Sequence, residues 1–248
     1  MPPPPPAPSR FERPLRFLRR RFSPRGVFGL HLTIGLLVII LGFWIFAEIA
    51  EDLQPESPLV ARDQQVAAWF HAHSTPGLAA AARVVTTFGS ARFLAPASIV
   101  IAILLVRRKA WNRLLIFASG MIGGSLLNIV LKHFFHRQRP VLENPLVTLS
   151  SYGFPSGHTM GATIFCGLLV LLAFSWWRQW PRRVLAVVLA GSIVLVVGLT
   201  RIYLGAHYLT DVLAAIAAGA VWLALCWSAG ESLRKHRRER AHDVKFKP

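Results

Sequence analysis

Long apolar stretches alternate with short polar and basic segments along the 248-residue chain. The apolar stretches cover residues 27–47, 88–106, 114–131, 159–177, 184–200 and 208–228. A helix that crosses the hydrocarbon core of a bilayer needs roughly 20 mostly apolar residues, whereas strands in a soluble core are much shorter. The pattern therefore predicts an all-α, polytopic membrane protein with six transmembrane helices.

The basic residues are distributed unevenly around these stretches. The chain has 28 Lys and Arg and a formal net charge of +17, which by itself is compatible with nucleic-acid binding. However, 21 of the 28 lie before residue 27, within 107–113, within 178–183 or after residue 231. Six spans place these segments on one side, and cytoplasmic loops are rich in Lys and Arg. We expect a multi-pass protein of the cell (inner or plasma) membrane, with both termini cytoplasmic and no nucleic-acid partner.

The chain divides into three parts. Residues 1–26 are rich in Pro and Arg and are predicted to be a disordered cytoplasmic N-terminus. Residues 27–230 form the six-helix membrane domain, and residues 231–248 form a basic cytoplasmic tail. The longest extracytoplasmic connection is 48–87, in which VAAWFHAH (66–73) is compatible with a short interfacial helix. The sequence assigns no role to this connection.

The remaining cations concentrate on the opposite side of the predicted membrane domain. The segment KHFFHRQRP (132–140) contributes Lys132, Arg137 and Arg139, and Arg201 follows the fifth apolar stretch. This placement opposes the cytoplasmic bias of the other cations. It therefore indicates an anionic ligand at the extracytoplasmic edge of the bilayer.

The segment GFPSGHTM (153–160) precedes the fourth span. Pro suits the first turn of a helix, so we expect Ser156, Gly157 and His158 at the N-terminus of that span. The free backbone N–H groups and the dipole of a helix N-terminus favour an anion. An ordinary helix start, with Gly157 and Gly161 packing against a neighbour, is the alternative that this segment alone leaves open.

The segment TRIYLGAHYLTD (200–211) places His207 and Asp211 four residues apart, which puts them on one face of a helix. A carboxylate near a membrane surface is costly and is usually paired or functional. Asp211 can accept a hydrogen bond from one ring nitrogen of His207, which leaves the other nitrogen as a nucleophile. A purely structural His–Asp pair is the alternative.

The three segments together carry a family signature. Lys132 is followed after six residues by Arg139 and Pro140; Pro-Ser-Gly-His ends at His158; Arg201 is followed by His207 and Asp211 at spacings of x5 and x3. This order resembles the type 2 phosphatidic acid phosphatase (PAP2) superfamily, whose signature is K-x6-R-P, P-S-G-H and S-R-x5-H-x3-D. Thr200 stands where the family usually has Ser, and it keeps the hydroxyl. The resemblance covers roughly residues 85–228 and implies a membrane lipid phosphatase with a PAP2/haloperoxidase-like helical core.

The resemblance also implies a role for each signature residue. Lys132, Arg139 and Arg201 would bind the phosphate oxygens, together with Ser156 and the amide of Gly157. His207 would attack phosphorus, Asp211 would orient His207, and His158 would protonate the leaving group. No cluster of carboxylates suited to Mg²⁺ accompanies the motifs, so we expect no metal and no cofactor. His133, His136 and Arg137 lie outside the signature, and we expect them to be interfacial residues without a specific role. The alternatives are that they tune recognition of a headgroup, or that His136 or Arg137 contacts a second phosphate.

The predicted position of the site defines the substrate class. A site at the outer headgroup level favours a lipid phosphate or a polyprenyl diphosphate, such as phosphatidic acid, phosphatidylglycerol phosphate or undecaprenyl diphosphate. A lipid phosphotransferase with the same site is one alternative. A non-catalytic transporter or scaffold is another, which the intact Lys132, His158, His207 and Asp211 disfavour. The sequence does not indicate an oligomeric state.

Overall fold

The computed structural model describes residues 30–143, 145–147 and 149–245, and these residues form helices joined by short loops without any strand. The helices are α1 Leu30–Glu51, α2 Pro58–Ala72, α3 Pro76–Thr86, α4 Ala91–Arg107, α5 Trp111–Phe135, α6 Gly157–Trp176, α7 Trp180–Tyr203 and α8 Leu209–Lys245. A 3₁₀ turn, Thr87–Gly89, joins α3 to α4. The predicted all-α class is confirmed. The predicted disordered segment 1–26 and the end of the predicted tail, 246–248, lie outside the described residues.

Six stretches among the described residues are long and apolar enough to cross a membrane, as predicted. They are Thr33–Glu51, Pro76–Arg107, Trp111–Phe135, Gly157–Trp176, Trp180–Tyr203 and Leu209–Ser232. The second begins at Pro76, not at 88, because α3, the 3₁₀ turn and α4 form one apolar stretch of 32 residues. Helix α8 continues past the apolar part to Lys245, through most of the predicted tail 231–248.

Two short helices lie between or at the start of the spans, and local chemistry sets where they begin. Helix α2 starts at Pro58, and the hydroxyl of Ser57 accepts a hydrogen bond from the amide of Leu59 at 3.1 Å. Helix α3 starts at Pro76, capped in the same way by Thr75. Proline suits the first turn because its missing N–H would have no partner there, and the hydroxyl satisfies one of the free amides.

Helix α6 lies at the centre of the bundle. Its apolar stretch is the most buried of the six spans, and it packs against α5, α7 and α8. Helix α8 also packs against α1, and the indole of Trp222 donates a hydrogen bond to the carbonyl of Gly120 on α5 at 3.0 Å. The loop before α6 is fixed by Phe154, which is fully buried against Phe46 of α1 and Phe135 of α5.

The up-and-down order of the helices brings four helix ends together. The C-termini of α5 and α7 and the N-termini of α6 and α8 lie at one end of the bundle, and α2 packs against α7 and α8 at the same end. The basic segments 107–113 and 178–183 join helices at the opposite end. All three signature segments therefore lie at the end that is poor in basic residues.

The turn between α7 and α8 depends on a glycine. Gly205 has a φ of +65°, and a Cβ atom added to it would lie 2.5 Å from Cδ1 of Leu142. The following amides of Ala206 and His207 both donate to the carbonyl of Arg201, at 3.0 and 3.3 Å. The left-handed conformation at Gly205 therefore determines the position of His207 relative to the ends of the neighbouring helices.

We expect Gly205→Ala to lower the melting temperature of the purified protein in detergent. A left-handed alanine costs roughly 1–2 kcal/mol, and the clash with Leu142 adds to this cost. Gly191→Ala is the matched control, because a Cβ at Gly191 on α7 would have no atom within 4 Å. Equal melting temperatures for the two variants would contradict this account of the turn.

Candidate active site

The structure brings the eight predicted site residues to one end of the bundle. Lys132 is in the last turn of α5, Ser156 caps α6, and Gly157 and His158 begin α6. Arg201 is in the last turn of α7, and His207 and Asp211 flank the start of α8. Arg139 lies in the loop after α5. His158 is close enough for direct electrostatic interaction with four of the others, namely Arg201, His207, Arg139 and Lys132.

His207 and Asp211 form a buried pair. They are 2% and 0% exposed, and Nδ1 of His207 lies 3.3 Å from Oδ2 of Asp211. On the other side of the ring, Nη1 of Arg139 lies 3.1 Å from Nε2 of His207. A guanidinium can only donate hydrogen bonds, so Nε2 carries the lone pair and Nδ1 carries the proton. The geometry selects the tautomer whose Nε2 is unprotonated, which is the form that a nucleophile requires.

The environment of His207 favours its neutral form. Burial lowers the pKa of His207 to about 4, and the hydrogen bond and charge of Asp211 act in the opposite direction without cancelling this effect. The charges of nearby Arg139 and Arg201 act in the same direction as burial, and the pKa of about 4 includes their effect. Since a protonated imidazole has no lone pair to donate, the neutral form present at pH 7 is the one that nucleophilic attack requires.

Backbone carbonyls hold two of the predicted phosphate-binding cations. Lys132 Nζ donates to the carbonyl of Tyr152 at 2.6 Å. Arg139 donates from Nε to the carbonyl of Ser151 and from Nη1 to that of Ala206, both at 2.6 Å. Burial lowers the pKa of Arg139 and the Asp211 carboxylate opposes the shift, but an arginine remains protonated at neutral pH. Both cations are thus held in fixed orientations, and Arg139 lies beside His207.

Arg201 is the cation with a buried donor that lacks an acceptor among the described residues. It is 3% exposed, and its Nη1 donates to the hydroxyl of Thr86 on α3 at 3.1 Å. Its Nε is buried without a hydrogen-bond partner among the described residues. A buried charged donor that lacks an acceptor costs free energy. An anion next to Arg201 would remove this cost, which supports the predicted phosphate contact.

The N-terminus of α6 lies against α5 and α8. The amide of Ser156 donates to the backbone carbonyl of Asp211 at 3.0 Å, and its hydroxyl lies 3.0 Å from that of Thr159. A Cβ at position 157 would lie 3.1 Å from Oδ1 of Asn128, so Gly157 allows α6 to approach α5 closely. These contacts position the helix start; the predicted phosphate contacts of Ser156 and Gly157 remain predictions.

Three side chains that the motifs did not identify complete the site. Arg137 is buried and donates to the carboxylates of Asp211 and Asp63, at 2.6 and 2.7 Å. Thr210 hydrogen-bonds to both Asp63 and Arg137. Neither reading of Arg137 from the sequence, as an interfacial residue or as a second phosphate contact, describes this buried ion pair. His133 and His136 are exposed and pack edge-on against Tyr152.

No sequence pattern would have linked Asp63 to the site. Asp63 and Arg137 are separated by 74 positions, and Asp63 lies on α2 in the connection to which the sequence assigns no role. A buried acid on this short helix becomes recognisable only from its tertiary partners. The single available signal was Arg137 itself, an additional cation between Lys132 and Arg139.

An apolar groove leads from His158 along the bundle. A cavity of about 280 Å³ is lined by His158 and Asn128, and a second of about 540 Å³ continues between α4, α5 and α6. Both cavities are lined by Gly89, Ala91, Met121, Ser125, Gly157 and Gly161. The larger cavity is bounded mainly by apolar side chains of the spans, among them Leu94 and Ala118. The groove can therefore accommodate a hydrocarbon chain next to the polar site.

Known proteins resemble this chain in sequence and in fold. The model of the PAP2 superfamily matches residues 113–235. Phosphatidylglycerophosphatase B of Bacillus subtilis (strain 168) is 33% identical over 162 residues, covering 62% of this chain and 76% of that protein. Decaprenylphosphoryl-5-phosphoribose phosphatase of Mycobacterium tuberculosis is 28% identical over 170 residues, covering 66% of this chain and 86% of that protein.

A solved structure extends the likeness to the fold. The crystal structure of a transmembrane PAP2-type phosphatidylglycerolphosphate phosphatase from Bacillus subtilis matches with a TM-score of 0.67 at 28% identity. The match covers 84% of this chain and 96% of that one. The relatives are phosphatases, which confirms the enzyme class that the motifs predict. Motifs, helical membrane fold and relatives agree that this chain belongs to the PAP2 superfamily of membrane phosphatases.

Proposed function

We propose that this protein hydrolyses a lipid phosphate or a polyprenyl diphosphate at the extracytoplasmic face of the membrane, through a phosphohistidine at His207. The observation that carries the proposal is the state of His207. Its Nε2 lone pair faces the guanidinium of Arg139, and its Nδ1 lies against the buried Asp211 carboxylate. A nucleophile beside fixed cations is the arrangement that attack on a phosphate requires.

The first step transfers the phosphoryl group to the enzyme. Phosphate oxygens accept hydrogen bonds from Lys132, Arg139 and Arg201, assisted by the N-terminus of α6 at Ser156 and Gly157. Nε2 of His207 forms a bond to phosphorus while the bond from phosphorus to the lipid oxygen breaks. His158 gives its proton to that oxygen, so the leaving group departs as the lipid alcohol, or as a lipid monophosphate whose former bridging oxygen is protonated.

The second step regenerates the enzyme. Water attacks phosphorus, the bond from phosphorus to Nε2 breaks, and His158 accepts the proton of the water. Inorganic phosphate leaves and His207 returns to its neutral state. In the intermediate the imidazole ring carries positive charge, and the Asp211 carboxylate 3.3 Å from Nδ1 stabilises it.

The cations perform the electrostatic work that Mg²⁺ performs in other phosphoryl transfers. Three positive charges lie around the proposed phosphate position, on Lys132, Arg139 and Arg201. Each of these side chains is already held by a hydrogen bond to the protein. Within the described residues, no group of three or more His, Cys, Asp or Glu side chains could hold a metal ion. We therefore propose a reaction that needs neither a metal nor a cofactor.

The groove supports a substrate with a long hydrocarbon tail. It begins at His158, where the leaving oxygen would lie, and runs between α4, α5 and α6 toward the middle of the spans. The names of two relatives specify a phosphatidylglycerophosphate and a decaprenyl-linked phosphoribose phosphate as substrates. Both are phosphates on large apolar carriers, which supports the same substrate class here.

The groove gives a first prediction of the proposed function. Ala118 lines the groove on the side of α5, and Ala118→Phe should partly fill the groove. The substitution should therefore reduce phosphate release from long-chain substrates much more than from water-soluble nitrophenyl phosphate. The measurement is phosphate release by purified protein in EDTA, from a panel that contains phosphatidic acid, phosphatidylglycerol phosphate and undecaprenyl diphosphate. Val188→Phe, on the exposed side of α7, is the control.

The panel also tests the proposed function itself. Free phosphate as the product indicates hydrolysis, whereas transfer to an added alcohol would indicate a phosphotransferase. An enzyme that EDTA inactivates and Mg²⁺ restores would exclude the metal-free mechanism. Equal losses of Ala118→Phe on lipid and soluble substrates would contradict the assignment of the groove to the tail.

A second prediction separates the two histidines by leaving group. General acid catalysis contributes roughly 10²–10⁴-fold when the leaving oxygen needs a proton, whereas nitrophenolate leaves without one. His158→Ala should therefore keep a larger share of its activity on nitrophenyl phosphate than on a lipid phosphate. His207→Ala should lose activity on both substrates, and the activity of Asp211→Asn should fall on both because His207 is no longer oriented.

Each histidine variant must elute from gel filtration in detergent as the wild type does, because a buried pair also contributes to folding. Equal fractional losses of folded His158→Ala on the two substrates would leave His158 as a phosphate ligand and remove it from the acid role.

A third prediction concerns membrane topology. Of the 28 Lys and Arg, 21 lie in the segments assigned to the cytoplasm. A reporter fused after Glu143 should therefore be extracytoplasmic, and one fused after Lys235 should be cytoplasmic. Labelling of cysteines introduced at 140–143 by an impermeant reagent in intact cells checks the result. Labelling that requires permeabilised cells would place the site on the cytoplasmic side.

A further inference from the structure

A buried ionic network lies behind the pair of His207 and Asp211. Arg137 follows α5 and is 9% exposed, and Asp63 lies on α2 and is 2% exposed. Arg137 donates from Nη1 to Oδ1 of Asp211 at 2.6 Å and from Nη2 to Oδ2 of Asp63 at 2.7 Å. One guanidinium therefore links α2 to the start of α8 through two carboxylates.

Thr210 completes the network. Its amide donates to Oδ1 of Asp63 at 3.1 Å, so an acid from α2 caps one of the free N–H groups of α8. Its hydroxyl donates to Oδ2 of Asp63 and accepts a hydrogen bond from Nη1 of Arg137 at 2.7 Å. The ring of Tyr208 lies 4.6 Å from the guanidinium carbon of Arg137. These contacts fix both the position and the plane of the guanidinium.

The two oxygens of Asp211 have separate partners. Oδ1 accepts from Arg137, whereas Oδ2 accepts from the amide of Tyr208 at 2.9 Å and faces Nδ1 of His207. Rotation of the carboxylate would break all three contacts. Arg137 therefore determines which oxygen His207 meets and at what angle.

The negative charge of Asp63 balances the positive charge of Arg137, so that Arg137 does not cancel the attraction between the Asp211 carboxylate and a charged His207 ring. An arginine paired with Asp211 alone would neutralise the carboxylate that has to stabilise the imidazolium of His207. The second carboxylate balances the arginine, so the cluster Asp63–Arg137–Asp211 retains one net negative charge next to His207. The network thus holds Asp211 in place and leaves its charge available.

Arg137 differs from Arg201, one of the predicted phosphate-binding arginines, in its hydrogen bonds. Both of its terminal nitrogens are bound to buried acceptors, whereas Nε of Arg201 has no partner among the described residues. We propose that Arg137 and Asp63 are positioning residues, which hold Asp211 so that it orients His207 and stabilises its charged form without touching the phosphate. The inference rests on the proposed roles of His207 and Asp211.

The test is a double-mutant cycle with Arg137→Gln and Asp211→Asn on nitrophenyl phosphate, a substrate that depends on neither the groove nor the acid. Outer-shell groups that orient a functional imidazole typically contribute about 10–100-fold, so we expect kcat of Arg137→Gln to fall by about this factor. KM should change less than about twofold, because Arg137 does not touch the substrate. In the Asp211→Asn background the same substitution should change kcat by less than about threefold, because residues that act through one another are not additive.

Two further variants protect the test against misfolding. Removing one partner of a buried ion pair is more destabilising than removing both partners. If Arg137→Gln alone does not fold, the double variant Asp63→Asn with Arg137→Gln should therefore still fold. Its kcat should fall by the factor expected for Arg137→Gln. Arg137→Lys retains the charge and should recover part of kcat. The matched control is Arg62→Gln, an exposed arginine next to Asp63, which should behave as the wild type.

Three results would overturn the inference: wild-type kcat in folded Arg137→Gln, the same fold-loss in both backgrounds, or a raised KM at unchanged kcat. Failure of the proposed function looks different. It would appear as a wild-type protein that releases no phosphate, or as an Asp211→Asn variant with wild-type activity.

Discussion

A carboxylate removed from water keeps its charge only when donors from the protein replace the hydration it has lost. Asp211 is fully buried, and its donors come from the loop after α5, through Arg137, and from the start of α8, through Tyr208 and His207. Its own backbone carbonyl also accepts from Ser156, which ties α6 to α8. The requirement to satisfy one acid therefore determines how the ends of α5, α6 and α8 meet.

The opposite requirement applies to the cations on the other side of His207. Lys132, Arg139 and Arg201 repel one another, so without an anion their proximity is unfavourable. Carbonyls of residues 151, 152 and 206 and the hydroxyl of Thr86 hold them in spite of this repulsion. A phosphate that enters between them relieves the repulsion and meets donors that are already oriented. In the proposed reaction, this relief of repulsion would favour binding of the phosphate.

The sequence predicted the parts of this arrangement that are local. Apolar length identifies the spans, because the length of a span follows from helix geometry and bilayer thickness. The sequence also predicted correctly that His207 and Asp211 lie together, but they do not share one helix face: α8 begins at Leu209, and His207 contacts Asp211 from the turn before the helix. The predicted start of the second span, at residue 88, was wrong because Arg83 and the polar turn 86–90 interrupt the apolar pattern. In the structure the helix α3 continues through Arg83, because the guanidinium of Arg83 donates a hydrogen bond to the carbonyl of Leu146. The bond between Asp63 and Arg137 was not predictable, because it depends on where α2 packs and neither residue has a diagnostic neighbour.

The two sides of the site divide its tasks. The side formed by α2, the start of α8 and Arg137 contains the ionic network, where removal of one charged partner leaves a buried charge unpaired. The side formed by α4, α5 and α6 contains the groove and is built mainly from small and apolar residues such as Ala91, Ala118 and Gly161. Changes of size there alter the shape of the groove without breaking a hydrogen bond to His207 or Asp211. In the proposed mechanism, the residues that orient the nucleophile therefore differ from those that would line the lipid tail, so the same chemistry would serve substrates with different tails.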